Sequence, residues 1–275
     1  MGLDPGFAPQ TGGIHQKSGN RRGPIEMTIL ETRQLTHIFP NGTLAIDDIN
    51  LTIAAGEFVI IAGANGSGKT VLTRHLNGLL LPTKGQVLLN GVPITQDLTH
   101  TRKNIGLVFQ NSDSQIVGQT VAEDTAFGPE NLKLPRREVE GRVQESLEAV
   151  GLSDLAHHQP HTLSGGQKRR LAIAGVLAMR PKIIIFDEPF SGLDYPGGLL
   201  VLQQIVSLHK QGHTIILVMH ELEKALAHAN RLIIMEKGRI MKDGNPVELI
   251  GEVELFGIKR PYGENRRVET MTWLS

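Results

Sequence analysis

FVIIAGANGSGKTVLTRHL, residues 58–76, is the stretch on which the fold turns. An apolar run, Phe58 to Ala62, leads into Gly63, Ala64, Asn65, Gly66, Ser67, Gly68, Lys69 and Thr70, and a helical pattern continues to about Leu79. The octet matches G-x-x-x-x-G-K-[ST] in the strand-to-helix setting that a phosphate-binding P-loop requires. Backbone N–H groups of such a loop wrap the β-phosphate, Lys69 reaches the β and γ oxygens, and the Thr70 hydroxyl is placed to ligate Mg²⁺. A nucleoside triphosphate is the expected substrate.

Outward from this loop the chain alternates between two periodicities. Short apolar runs predict strands at Ile29–His37, Ala45–Ile53, Gln86–Leu89, Ile105–Phe109, Ile183–Phe186, Thr214–Met219 and Arg231–Met235. Helical stripes predict helices at Arg136–Val150, Gly197–His209 and Glu221–Ala229. Near-continuous apolar strands alternating with helices argue for an α/β fold with a mostly parallel sheet covered on both faces. From Gln110 to about Met179 the pattern is almost purely helical, which predicts a helical subdomain set into that core.

Composition sets bounds on function. With 28 basic and 28 acidic residues the chain is formally neutral, so bulk electrostatics gives no reason to expect nucleic acid as a partner. The absence of cysteine removes disulfides and thiolate-held metals. No apolar run approaches the roughly 20 residues needed to cross a bilayer. Residues 1–26 are rich in glycine and polar residues, lack an apolar signal core, and are expected to be a disordered extension, with Met27 an alternative start.

PKIIIFDEPFSGLD, residues 181–194, carries the second constellation. A buried strand ends in Asp187 and Glu188 at the carboxyl edge of the sheet, where open α/β folds place ligands. Adjacent acids repel, and a divalent cation relieves the conflict. Asp187 is expected in the Mg²⁺ shell and Glu188, pointing away from its neighbour, as the group that polarises an attacking water.

The third is HTLSGGQKRR, residues 161–170. Ser164 followed by two glycines at a helix start offers an N-cap and unpaired N–H groups, an arrangement that can cradle an anion or simply cap a helix. Lys168, Arg169 and Arg170 oppose the helix dipole there, so they either sit near an anion or form a solvated polar face.

Taken in order, a P-loop, Gln110 at a strand end, Leu163-Ser164-Gly165-Gly166-Gln167, IIIFDE, SGLD ending in Asp194, and His220 after a strand resemble the ATPase subunit of ABC transporters over residues 28–250. The resemblance implies a P-loop core with an antiparallel β subdomain and an inserted helical subdomain at about 111–180, in a cassette spanning 27–250. It further implies ATP and Mg²⁺ as ligands. Phe39 would stack on adenine, although a place in the core is its plain alternative. Gln110 would lie near Mg²⁺ and the membrane partner, residues 163–167 would form a signature acting on the nucleotide of a second subunit, Asp194 would be the D-loop acid, and His220 would contact the γ-phosphate. Catalysis would fall to Glu188, His220 and Lys69.

Residues 107–135, with Asn111 to Gln115 and Ala126 to Asn131 the telling runs, are similar to energy-coupling factor and cobalt-type ATPases. Those power uptake of vitamins or of cobalt and nickel ions through an integral-membrane coupling subunit and a membrane-embedded substrate-binding subunit. The resemblance implies a peripheral place on the cytoplasmic face of the membrane and a second ATPase subunit, either a copy of this chain or a paralogue. Phe190, Ser191, Tyr195 and Arg169 depart from common family residues. A soluble single-cassette ATPase of an assembly complex remains the alternative. Residues 251–275 carry no motif and are expected to be a short, partly ordered tail holding Trp273.

Overall fold

The computed structural model describes residues 1–2, 27–261 and 267–274; most of the expected N-terminal extension, residues 3–26, lies outside the described residues. The chain runs β1 (Thr28–Ile38), β2 (Leu44–Ala54), β3 (Phe58–Ala62), α1 (Lys69–Leu76), β4 (Lys84–Leu89), β5 (Val92–Pro93), α2 (Leu98–Asn104) and β6 (Ile105–Val108). It continues α3 (Val121–Asn131), α4 (Arg136–Ala149), α5 (Gly165–Ala178), β7 (Ile183–Asp187), α6 (Tyr195–Lys210), β8 (Thr214–Met219), β9 (Arg231–Glu236), β10 (Arg239–Gly244) and α7 (Pro246–Leu249).

Two sheets form. One is antiparallel, in the order β2-β1-β4-β5; the other is ordered β10-β9-β3-β8-β7-β6 and is parallel except for β10. Strand alternation divides the interior in two. Phe58, Ile60, Ala62, Ile184, Phe186, Ile215 and Leu217 face a core shared with α5 and α6, while Val59, Ile61, Ile183, Ile185, Ile216 and Val218 face one shared with α1 and the antiparallel sheet. Both faces of the central strands are therefore apolar, which is why those strands read as continuous runs.

The segment between β6 and β7 is helical, as expected: α3, α4 and α5 pack on one another. Other elements differ from expectation. Helix α1 ends at Leu76 rather than near Leu79, because Asn77 caps it and Gly78 turns out with φ +73°. Helix α6 begins at Tyr195, two residues early, because the Asp194 carboxylate accepts the Gly197 N–H at 3.0 Å.

The expected helix Glu221–Ala229 is two single 3₁₀ turns, Leu222–Lys224 and Leu226–His228. The C-terminal segment takes the backbone groups that a helix would have used: the Lys224 carbonyl accepts from the Trp273 N–H at 3.0 Å, and the Ala227 N–H donates to the Met271 carbonyl at 3.0 Å. Of the described residues in the C-terminal segment, Val253, Ile258, Val268 and Met271 are buried in the α5/α6 core.

Candidate active site

Parallel register sets the site. Ala62 lies beside Met219, Val218 beside Asp187, and Phe186 beside Val108, so the carboxyl ends of β3, β8, β7 and β6 finish at one edge. The four chain segments that leave this edge carry the P-loop, His220, the Asp187–Glu188 pair and Gln110. A cleft of about 820 Å³ opens there. Its walls include residues 65–70, Gln110, Glu188 and His220, with Phe39 supplied by the β1–β2 turn and Gly238 by the β9–β10 turn.

The P-loop is built to keep backbone exposed. Gly66 and Gly68 adopt φ +80° and +101°, which favour glycine, and a Cβ on Gly63 would stand 2.3 Å from the Met235 carbonyl. Lys69 is buried, and its Nζ donates to the loop's own carbonyls at Gly63 (2.7 Å) and Ala64 (3.0 Å). Burial pushes the Lys69 ammonium below its usual range, while the carboxylates of Glu188 and Asp187 work against that fall. A cation held in this way is poised for anionic oxygen.

Asp187 and Glu188 face different partners, as the sequence suggested. Asp187 is 4% exposed, and burial pushes its carboxyl above the usual range, with the Thr70 side chain opposing and Glu188 reinforcing the shift. Its Oδ1 is buried without a hydrogen-bond partner. A buried orphan carboxylate oxygen beside a threonine hydroxyl is a hard oxygen donor set that suits Mg²⁺.

Glu188 takes φ +49°, a left-handed backbone for a side chain with a Cβ, which costs on the order of 1–3 kcal/mol. Its N–H donates to the Val218 carbonyl at 2.9 Å, tying β7 to β8. The carboxylate oxygens lie 2.9 and 3.0 Å from His220 Nδ1. A carboxylate only accepts, so Nδ1 is the donor.

Phe39 is half-buried, with its ring edge-on to His37 at 4.8 Å, in a turn closed by its N–H to the Thr43 carbonyl at 2.9 Å. It lines the cleft and is not a core residue. Behind it, His37 Nδ1 meets the wholly buried His75 Nε2 at 3.2 Å.

Residues 163–167 do not line this cleft. Ser164 and Gln167 form a reciprocal capping box at the start of α5: the Ser164 hydroxyl accepts the Gln167 N–H at 3.3 Å and the Gln167 amide oxygen accepts the Ser164 N–H at 2.8 Å. Gly165, exposed, and Gly166, half-buried, follow in the first turn.

Sequence reasoning missed the weight of Arg169. It does not belong to a solvated face: the residue is 3% exposed, and its guanidinium donates to the carbonyls of Phe109, Gln110 (2.5 Å) and Ser191 (3.5 Å). Burial pushes its pKa down, and the Asp187 charge opposes. One side chain near the start of α5 thus joins the segment after β6 to the segment after β7. Arginine in a run of cations is a weak signal, because only the tertiary neighbours show which of the three turns inward. Lys168 instead pairs with Asp113 at 2.7 Å, and Arg170 donates to the Val150 carbonyl at 2.8 Å.

A model of the ABC transporter family matches residues 46–191. The energy-coupling factor transporter ATP-binding protein EcfA of Methanocaldococcus jannaschii is 47% identical over 231 residues, 83% of each chain. EcfA1 of Clostridium novyi is 46% identical over 78% of this chain and 77% of its own length. Among solved structures, cbiO1 of Clostridium perfringens, part of the ABC transporter complex cbiONQ, superposes with a TM-score of 0.75 at 38% identity, covering 84% of this chain and 93% of that one. A dimeric ATP-binding cassette in a post-hydrolysis state with ADP and Pi gives a TM-score of 0.71 at 30% identity, covering 79% and 98%. With the P-loop, the two acids and the histidine at one sheet edge, this places the chain in the ABC transporter ATPase family, as an ATP-hydrolysing cassette of the energy-coupling factor type.

Proposed function

We propose that this chain is the ATPase subunit of an energy-coupling-factor importer, powering uptake of a vitamin or of cobalt or nickel ions through separate membrane subunits. The observation that carries this reading is the convergence of Lys69, Glu188 and His220 at one cleft, with Asp187 lining an adjoining pocket beside Thr70 and Gln110, in a chain 47% identical to EcfA.

In this reading ATP lies in the cleft with adenine against Phe39 and its phosphates along Gly63 to Thr70. Lys69 exchanges the Gly63 and Ala64 carbonyls for β and γ oxygens. Thr70, Asp187 and Gln110 would hold Mg²⁺, which would supply positive charge against the phosphates. Glu188 orients the attacking water and accepts its proton, and His220 holds Glu188 in place while facing the γ-phosphate. Residues 163–167, at the start of α5, and the D-loop at Asp194 act on the nucleotide of a second ATPase subunit. This assignment is supported by the position of the signature outside its own cleft and by the dimeric cassette among the structural neighbours.

ATP-driven closure and reopening of the pair is passed to the membrane subunits through the Gln110 segment. The chain then sits peripherally on the cytoplasmic face of the membrane; among the described residues no helix is long and apolar enough to cross it. The test is to purify the intact complex from membranes through this chain and identify its subunits and bound small molecule by mass spectrometry. Membrane-embedded partners are expected. A purely soluble assembly would support the alternative of a non-transport cassette.

A further inference from the structure

Trp273, the chain's only tryptophan, lies in the C-terminal segment for which the mechanism above has no use. Its indole packs over Gly198 in α6 so closely that a Cβ on that glycine would stand 2.4 Å from the ring. The same ring meets Tyr195 at 5.3 Å and Phe190 at 5.9 Å between centroids, so it touches both sides of the Ser191–Asp194 loop. Its other attachment is to the segment that leaves His220. The indole's contact there is the buried Lys224 ammonium, 4.7 Å from the ring centroid and paired with Glu221, the neighbour of His220, while the Trp273 backbone N–H donates to the Lys224 carbonyl at 3.0 Å.

One side chain therefore bridges two segments that begin at catalytic positions on adjacent strands. The contacts also account for two departures noted above. Phe190 and Tyr195 supply the aromatic faces that the Trp273 indole meets, and the broken helix after His220 leaves free the Lys224 carbonyl that the Trp273 backbone N–H takes.

We propose that Trp273 is a positioning residue for ATP hydrolysis, clamping the D-loop against the His220 segment so that Asp194 and His220 are presented in fixed relation. The inference rests on the roles given to those two residues under the proposed function. A clamp of this kind acts on the geometry of the reacting groups rather than on nucleotide affinity, and a misplacement of about 1 Å can cost up to about 100-fold in rate. Removal should lower kcat and leave KM for ATP nearly unchanged.

The experiment compares full-length variants in the purified membrane complex. Trp273→Ala is expected to lower kcat by about 10- to 100-fold with KM for ATP within about twofold, and Trp273→Phe to recover most of the loss. Gly198→Ala separates position from stability, since alanine strengthens a helix while its Cβ evicts the indole. It should red-shift tryptophan emission and reproduce the loss of kcat. Val253→Ala removes buried packing where the C-terminal segment meets β9 and should lower thermal stability with little effect on kcat. If Trp273→Ala, assayed well below both melting temperatures, loses no more kcat than Val253→Ala, the clamp is overturned. A red-shifted Gly198→Ala with normal turnover would overturn it as well. Asp194→Ala tests the underlying loop: lost turnover there with full turnover in Trp273→Ala rejects the clamp alone, and full turnover in both rejects the clamp and the loop assignment together.

Discussion

His220 Nδ1 lies 2.9 Å from one carboxylate oxygen of Glu188 and 3.0 Å from the other, so the imidazole leaving β8 orients the acid leaving β7. Glu188→Gln keeps an oxygen for that contact but removes the proton acceptor. Hydrolysis should slow by about 10²- to 10⁴-fold while ATP binding persists. The variant is expected to accumulate as an ATP-dependent dimer on size exclusion, and normal turnover would assign the base elsewhere.

Lys69→Ala should lose ATP binding or turnover, because a desolvated phosphate cluster loses its main point charge. This change also tests which chain the signature serves, provided the chain pairs with itself. Mixing Lys69→Ala with Ser164→Arg creates one doubly damaged and one intact site if each site joins the P-loop of one protomer to the signature of the other. Single-turnover hydrolysis should reappear on mixing. With dimer formation demonstrated, absence of both hydrolysis and occluded ATP would reject the shared site.

Arg169→Leu leaves the carbonyls of Phe109, Gln110 and Ser191 without their buried donor. Loss of a charged hydrogen-bonding group of this kind costs about 1–3 kcal/mol. Melting temperature should fall by about 2–4 °C for each kcal/mol. Unchanged stability would mean that water or a neighbouring side chain replaces the guanidinium.

Acid should destabilise the fold through His75. Its Nδ1 lies 2.8 Å from the Val71 carbonyl and so carries the proton, which leaves Nε2 to accept from His37. Burial holds its pKa below the ordinary 6.5, with the Val71 carbonyl opposing and His37 reinforcing the shift. The unfolded chain then takes up a proton near pH 6.5 that the folded chain refuses. This part of the stability is present above that pH and lost as pH falls towards the folded value. Denaturant midpoints at pH 7.5 and 5.5 should differ less in His75→Gln than in the parent, and equal differences would clear His75 of the effect.

Much of the site was legible in the residues because its chemistry lies in short, contiguous motifs. Phosphate binding needs a glycine loop between a strand and a helix, and two acids at a strand end need a cation, whatever surrounds them. Gly63 to Thr70, Asp187, Glu188 and the helical segment between β6 and β7 could be read from such local demands.

Contacts between distant segments could not. Arg169 sits among three similar cations, and only the packing of α5 against the ends of β6 and β7 turns it inward onto carbonyls 59 and 60 residues away. Glu221 to Ala229 has helical periodicity, yet residues 271–273 compete for its backbone and break it into single turns. Local propensity names the elements and the reactive groups. Which buried polar group finds which partner is settled only when the chain closes on itself, because an unpaired group in the core is too costly to leave.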